Sequence, residues 1–293
     1  MRKYRFIILY SLLLAAFTVY VALDTFVLVR TYTSGASSAP TGSVLPTTEP
    51  AVISARSYQD ANITLTITEY REHSTDIYVA DVLLSSPALL KTALAESAFG
   101  RNVTEKTSAM AERTGAILAI NGDYYGSRER GYVVRNGVTY RSSSMGYDAL
   151  AIMADGSFRI VEEDEIPLTE LTDAGAVHVF SFGPGLIING EIAVTARDEV
   201  GKAKEDNPRT AIGMIEPGHY IIVVSDGRTR ASDGLTLLQL AEFMQALGVT
   251  EGYNLDGGGS STMVFMGEII NNPTTNGRRE SERSVSDIVY IGY

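Results

Sequence analysis

The chain has no cysteine, which excludes disulfides, a thiol nucleophile and a cysteine-ligated zinc centre. Histidine is nearly as scarce. His73, His178 and His219 are far apart and lack HxxxH or HExxH spacing, which argues against a histidine-held zinc and against a Ser-His-Asp triad. There is no Gly-x-Ser-x-Gly elbow, no EF-hand loop, no repeat of fixed period, and no lysine after a glycine-rich loop to make a nucleotide P-loop. Positive charge is also in deficit, with 24 Lys and Arg against 35 Asp and Glu and a net charge of −11. An acidic surface repels nucleic acid, so no nucleic-acid partner is expected, and an anionic substrate must be captured by local arginines.

The 293 residues, 45% of them hydrophobic, are enough to bury a substantial core. Residues 6–29 form an apolar run whose one charge is Asp24. As a helix it would be about 36 Å long, enough to cross a bilayer. Arg2, Lys3 and Arg5 precede the run and Arg30 follows it. The positive-inside rule then keeps the N-terminus cytoplasmic and places the rest outside, as a single-pass protein of the cell membrane. The run is longer than the core of a cleavable signal peptide and no small-x-small site follows it, so an uncleaved anchor over residues 1–30 is expected. An exported domain without disulfides suits a bacterium.

Residues 31–54, rich in Ser, Thr, Pro and Gly, read as a flexible stalk, and residues 55–293 as one domain. Within it, residues 63–67 and 77–84 have strand patterns, 104–113 a helical one, and 116–120 that of an apolar strand leading into Asn121, Gly122 and Asp123. Asn136-Gly137, Asp155-Gly156 and Asn189-Gly190 sit between apolar segments, as tight hairpins require. Residues 220–225, 235–247 and 253–255 read as strand, helix and strand, which suggests a crossover. The whole predicts an α+β domain, a mixed β-sheet with a few packed helices, preceded by one transmembrane helix.

The most chemical segment is residues 254–262, Asn-Leu-Asp-Gly-Gly-Gly-Ser-Ser-Thr, at the end of a predicted strand. Gly257, Gly258 and Gly259 permit positive φ and bring backbone N–H groups near a ligand, while Ser260, Ser261 and Thr262 add hydroxyls; a phosphate or a sugar suits such a loop. Ser225-Asp226-Gly227-Arg228 ends another strand, and Asn207-Pro208-Arg209-Thr210 opens a third. Two guanidiniums, Arg209 and Arg228, could grip a phosphodiester as planar forks. Each motif alone has a plainer reading, as a turn or a surface ion pair, and Glu242 reads as a solvated helix position.

The order of motifs carries more. Residues 121–125 (Asn-Gly-Asp-Tyr-Tyr), 182–186 (Phe-Gly-Pro-Gly-Leu), 208–210, 225–228, 234–236, 254–262 and 283–286 (Arg-Ser-Val-Ser) together resemble the phosphodiester glycosidase family, from about residue 116 onward. The resemblance extends to bacterial exopolysaccharide biosynthesis relatives with a similar anchor. It implies cleavage between a sugar's anomeric carbon and a phosphodiester oxygen, leaving a free sugar and a phosphomonoester. It further implies catalytic roles for Asp256, Asp226 and Asn254, and substrate contacts from Arg209, Arg228, Asn121, Gly257, Gly258, Gly259, Ser260, Thr262 and Arg283. The expected partners are a sugar-phosphate or polysaccharide substrate and, through residues 6–29, a membrane. No cofactor is expected, with a divalent cation such as calcium left open. Two other readings stand beside this one: a non-catalytic glycan-binding or assembly factor, and a metal-assisted phosphoesterase using Asp226 and Asp256 as oxygen ligands.

Overall fold

The computed structural model describes residues 2–32, 50–197 and 206–293. Most of the expected stalk, residues 33–49, lies outside them. The apolar run forms the helix Arg2–Phe26, and its span from Phe6 to Phe26 is long and apolar enough to cross a membrane.

The domain has an α+β fold, sheet-rich, with neighbouring strands paired antiparallel. The largest sheet has nine strands. At its centre lie Arg209–Glu216, His219–Ser225 and Thr75–Leu84, flanked by Glu251–Asn254 on one side and Ile63–Glu72 on the other. A five-stranded sheet packs on it and contains Leu118–Asn121, Met263–Phe265 and Asp287–Ile291. A second five-stranded sheet holds Val133–Arg135, Asp148–Met153 and Ala176–Phe180.

Strand periodicity builds the two faces. In His219–Ser225, Ile222 and Val224 join Leu118, Ile120, Leu255 and Phe265 in the core between sheets, while Ile221 and Val223 face the opposite way. There the helix Leu237–Ala246 covers them with Leu237, Leu240, Ala241 and Met244. Each such fully buried aliphatic side chain contributes about 1.5–3 kcal/mol. Thr236 caps that helix through a reciprocal box with Gln239, and Gly248 lies just past its end with φ +87°. Glu242 is exposed on it.

The expected crossover is present. His219–Ser225 and Glu251–Asn254 both pair antiparallel with Arg209–Glu216, so they run parallel to each other with that strand between them. The Asn-Gly and Asp-Gly pairs lie at hairpins: Val133–Arg135 with Val138–Arg141, Asp148–Met153 with Phe158–Glu162, and Gly185–Ile188 with Glu191–Ile192.

The chain behaves differently from a free stalk directly after the apolar helix. Arg30–Thr31 pairs antiparallel with Gly100–Arg101, and the Tyr32 N–H donates to the Phe99 carbonyl (2.8 Å). The Asn102 side chain donates to the Leu28 carbonyl (3.0 Å). Backbone pairing thus holds the first residues of the expected spacer against the domain.

Candidate active site

Register places the site. Arg209 is opposite Ser225 and Ala211 is opposite Asn254, so the start of one central strand and the ends of its two neighbours meet at one edge of the large sheet. Asn121, the last residue of a strand in the packed sheet, reaches the same point. Its amide donates to the Asp256 carbonyl (2.6 Å) and the Gly122 carbonyl, and its oxygen accepts from the Thr210 hydroxyl (2.8 Å) and the Thr262 N–H (3.2 Å). All four hydrogen-bonding positions of this amide are occupied by the protein. Asn121 therefore braces the glycine loop from beneath, a correction to its expected contact with substrate.

A cavity of about 200 Å³ opens at this edge, lined by Phe182, Asn207, Arg209, Arg228, Asn254, Asp256, Gly257, Gly258 and Arg283 among others. Asp256 is only 9% exposed. Burial pushes its carboxyl up to about 6, against the pull of the Ser260 hydroxyl and of the Arg283 and Arg128 guanidiniums. Near neutral pH it is a carboxylate that accepts a proton readily, as a general base requires. Asn254 donates to the Gly183 carbonyl (2.8 Å), while its own side-chain oxygen is buried without a partner.

The arginines are held rigidly. Arg209 is 3% exposed, and its Nε donates to the Leu235 carbonyl (2.7 Å). Arg228 has φ +61°; its Nε and Nη2 both donate to the Asn207 side-chain oxygen (3.0 and 2.9 Å), and Nη1 donates to the Thr275 carbonyl. Burial and the neighbouring Arg283 charge lower its pKa. Guanidiniums this close repel one another, an arrangement that favours an anion between them.

The glycines serve these arginines. A Cβ on Gly258 would lie 2.8 Å from Arg228 Nη2, and one on Gly259 would lie 2.7 Å from Arg283 Nη2. Both guanidiniums therefore rest on bare backbone. The Gly258 N–H donates to the Pro208 carbonyl (2.7 Å), and the Ser260 and Ser261 N–H groups turn back to Gly257 and Gly258. The expected anion cradle of loop N–H groups is thus replaced, at these positions, by a floor for arginines. Gly259, Ser260 and Thr262 do not line the cavity. The Thr262 hydroxyl is buried without a protein partner, and the Thr262 N–H holds Asn121.

Asp226 also departs from its expected place. Its carboxylate accepts from the Asn272 N–H (2.9 Å), the Asn272 side chain (3.0 Å), the Asn271 side chain (3.2 Å) and the Tyr78 hydroxyl (3.4 Å). Burial raises its pKa while the two asparagines hold it back. It ties the turn after the glycine loop to the sheet and does not line the cavity. Of the two carboxylates in the phosphoesterase reading, only Asp256 lines the cavity. Among the described residues, no group of three or more His, Asp or Glu side chains could hold a metal ion.

Three further groups escape a sequence reading. Asn207, inside a motif noted for its arginine, anchors Arg228. Arg128 lies 4.9 Å over the Phe182 ring and sends its charge toward Asp256; nothing in its local sequence marks it. Behind the site, Arg135 donates to Asp123 (2.8 Å) and Asp287 (2.7 Å), all three almost wholly buried, with its guanidinium 3.9 Å over Phe180. Burial alone would lower the Arg135 pKa, but the two carboxylates outweigh it and raise it. Asp123 stands two residues from Asn121, so the triad sets the path of the strand that braces the loop. Elsewhere His178 is a core histidine, accepting at Nδ1 from the Asn136 N–H, and burial pushes it down to about 3.

In this α+β protein a buried carboxyl thus shares one cavity with three arginines at the edge of an antiparallel sheet. Residues 114–292 match the family model described as phosphodiester glycosidase, and the chain belongs to that family. It is similar to the SPbeta prophage-derived uncharacterized protein YomE of Bacillus subtilis (strain 168), 29% identical over 203 residues that cover 67% of this chain and 31% of YomE. Mouse N-acetylglucosamine-1-phosphodiester alpha-N-acetylglucosaminidase is 41% identical over 66 residues, 22% of this chain and 13% of that protein. The match thus spans under a third of the length of either curated relative. The fold is shared with the zebrafish N-acetylglucosamine-1-phosphodiester alpha-N-acetylglucosaminidase catalytic domain auto-inhibited by pro-peptide, at a TM-score of 0.62 and 22% identity, covering 79% of this chain and 83% of that one. It is shared also with a hypothetical protein from Synechocystis, at a TM-score of 0.60 and 16% identity, covering 78% and 62% of the two chains.

Proposed function

We propose that this chain is a phosphodiester glycosidase tethered to a cell membrane by its N-terminal helix, with its domain on the extracytoplasmic side. Its substrate on this reading is a sugar 1-phosphodiester of a cell-envelope glycan or exopolysaccharide. Membership of the family supports the reaction class, and the apolar helix supports the tether. The observation that carries the reading is a cavity where the buried Asp256 carboxyl meets Arg209, Arg228 and Arg283.

Arg228 and Arg283, fixed on Gly258 and Gly259, hold the phosphodiester with Arg209 beside them, in a protein whose overall charge would otherwise repel it. A water attacks the anomeric carbon and the bond from that carbon to the phosphate oxygen breaks. Asp256 takes the water's proton, and the departing oxygen keeps the bonding electrons as part of a phosphomonoester. Such a leaving group needs little general-acid help, so charge stabilisation by the arginines lowers the barrier most. Asn254, with an unpartnered oxygen, accepts from a sugar hydroxyl. The remaining predicted residues act from behind: Asn121 and Thr262 brace the loop, and Asp226 holds the turn that follows it.

Hydrolysis of UDP-N-acetylglucosamine in ¹⁸O-labelled water, with and without chelator, tests the reading. Label in the sugar's anomeric hydroxyl, at a rate unchanged by chelator, is the expected result. Label in the phosphate would identify a phosphoesterase instead, and no turnover of any sugar phosphodiester would leave a binding protein.

A further inference from the structure

A second cavity, of about 400 Å³, lies where the chain leaves the apolar helix. Tyr32, Phe99, Arg101, Arg128, Tyr140 and Arg141 line it. Phe99 stacks at 5.0 Å on Tyr125 and at the same distance from Tyr140, with Tyr32 at 6.0 Å. The result is an aromatic wall carrying guanidiniums.

Two of those guanidiniums make their hydrogen bonds to carbonyls. Arg141 donates through Nε to the Gly131 carbonyl (2.7 Å) and through Nη1 to the Tyr125 and Arg128 carbonyls, while Arg128 donates to the Ser181 carbonyl (3.1 Å). Neither forms a salt bridge with a carboxylate among the described residues. Arg101 alone is paired, with Glu129, itself largely exposed. A half-buried cation with no carboxylate in hydrogen-bond contact is costly, and burial lowers the Arg141 pKa against the more distant pull of Asp123 and Glu163. An anion supplied from outside would relieve that cost.

Position identifies the source. Tyr32 is six residues beyond the helix end at Phe26, a reach of at most about 20 Å. The docking is built in, because a Cβ on Gly100 would lie 2.1 Å from the Arg30 carbonyl and only glycine lets the two strands meet. If the helix spans a bilayer, the mouth of this cavity lies at headgroup level, where tyrosine and arginine characteristically reside.

The geometry points to a binding site for the phosphate headgroup of a membrane lipid, its tails remaining in the bilayer beside the helix. The site rests on the tether proposed above. It clamps the domain to the membrane surface, and it adjoins the Asp256 pocket, because Arg128 lines this cavity and lies over Phe182, which lines the other. The chain would therefore act on sugar phosphodiesters presented at the bilayer surface rather than free in solution.

Native mass spectrometry of the full chain in neutral detergent provides the test, with dioleoyl phosphatidic acid, dioleoylglycerol and inorganic phosphate as probes. One phosphatidic acid should be retained per chain, at least tenfold better than dioleoylglycerol. Arg141→Gln should lower that retention about tenfold. Because Arg141 also supports loop carbonyls, the pair Arg101→Gln with Tyr32→Ser, neither of which holds those carbonyls, serves as the second variant and should lower it severalfold, leaving hydrolysis of a soluble substrate unchanged. Equal retention of the two lipids, or undiminished retention by both variants, overturns the site. Inorganic phosphate bound as tightly as the lipid overturns the lipid source. Carbonate washing of membranes reports on the tether separately: a chain that washes off sinks the tether itself, whereas one that stays without preferring phosphatidic acid sinks only the headgroup site.

Discussion

Arg228 lies against Gly258 so closely that a methyl group on that glycine would come within 2.8 Å of the guanidinium. The same relationship joins Arg283 and Gly259. What looks in the sequence like a flexible loop for wrapping a phosphate is a flat bed for two cations that would do the gripping.

Alanine at either glycine should therefore damage activity by displacing an arginine. At Gly258 the residue must also adopt φ +63°, costing about 1 kcal/mol, while at Gly259 the Thr275 hydroxyl, 2.5 Å from the new Cβ, adds to the clash. We expect kcat/KM on a sugar phosphodiester to fall about 10- to 100-fold in each variant, with the circular dichroism spectrum unchanged. Wild-type kinetics in both would mean that the arginines do not depend on the loop.

Asp226 provides the sharpest contrast with Asp256. Asp226→Asn would set an amide donor against the Asn272 and Tyr78 donors that now converge on the carboxylate, a loss of about 1–3 kcal/mol in unfolding free energy. Some turnover should survive with an unchanged pH profile, because the carboxylate does not line the cavity. Complete loss of turnover in a stably folded variant would return Asp226 to the chemistry.

The Arg135 triad is a stability element. Arg135→Met leaves Asp123 and Asp287 buried and uncompensated, and removal of one partner from such a network costs about 3–5 kcal/mol. Chemical denaturation should show that loss near neutral pH, and the loss should shrink on acidification as protonation removes the buried charge. A variant as stable as wild type at pH 7.5 would contradict the assignment.

Asp256 should weigh against folding at alkaline pH. Its folded-state pKa of about 6 lies above the ordinary 3.8, so between these values the folded chain binds more protons than the unfolded one, and stability falls as pH rises through the window. Asp256→Asn removes that loss. The variant should be about 2 kcal/mol more stable than wild type at pH 8 and no more stable at pH 4, measured by denaturant unfolding in the same detergent.

Much of this was legible in the sequence because it depends on period and punctuation. The hairpins follow from Asn136-Gly137, Asp155-Gly156 and Asn189-Gly190, and the helix Leu237–Ala246 from its apolar face and Gly248. What stayed hidden depends on partners distant in sequence. Asp226 looks catalytic until Asn271 and Asn272 fold over it, and Asn121 looks exposed to substrate until Thr210 and Thr262 close on its oxygen. Arg135 sits on a strand with no local mark of burial, since its neutralising carboxylates are 12 and 152 residues away. The docking of Arg30–Thr31 was similarly unreadable, because a two-residue pairing has no periodicity.

The central claim is that Asp256 acts as the base inside an arginine-lined pocket, and the pH dependence of kcat/KM tests it most directly. The account predicts a rate rising through an apparent pKa near 6 and levelling above it, with turnover by Asp256→Asn at least a thousandfold lower at every pH. Substantial activity in Asp256→Asn, following the same rise near pH 6, would contradict it.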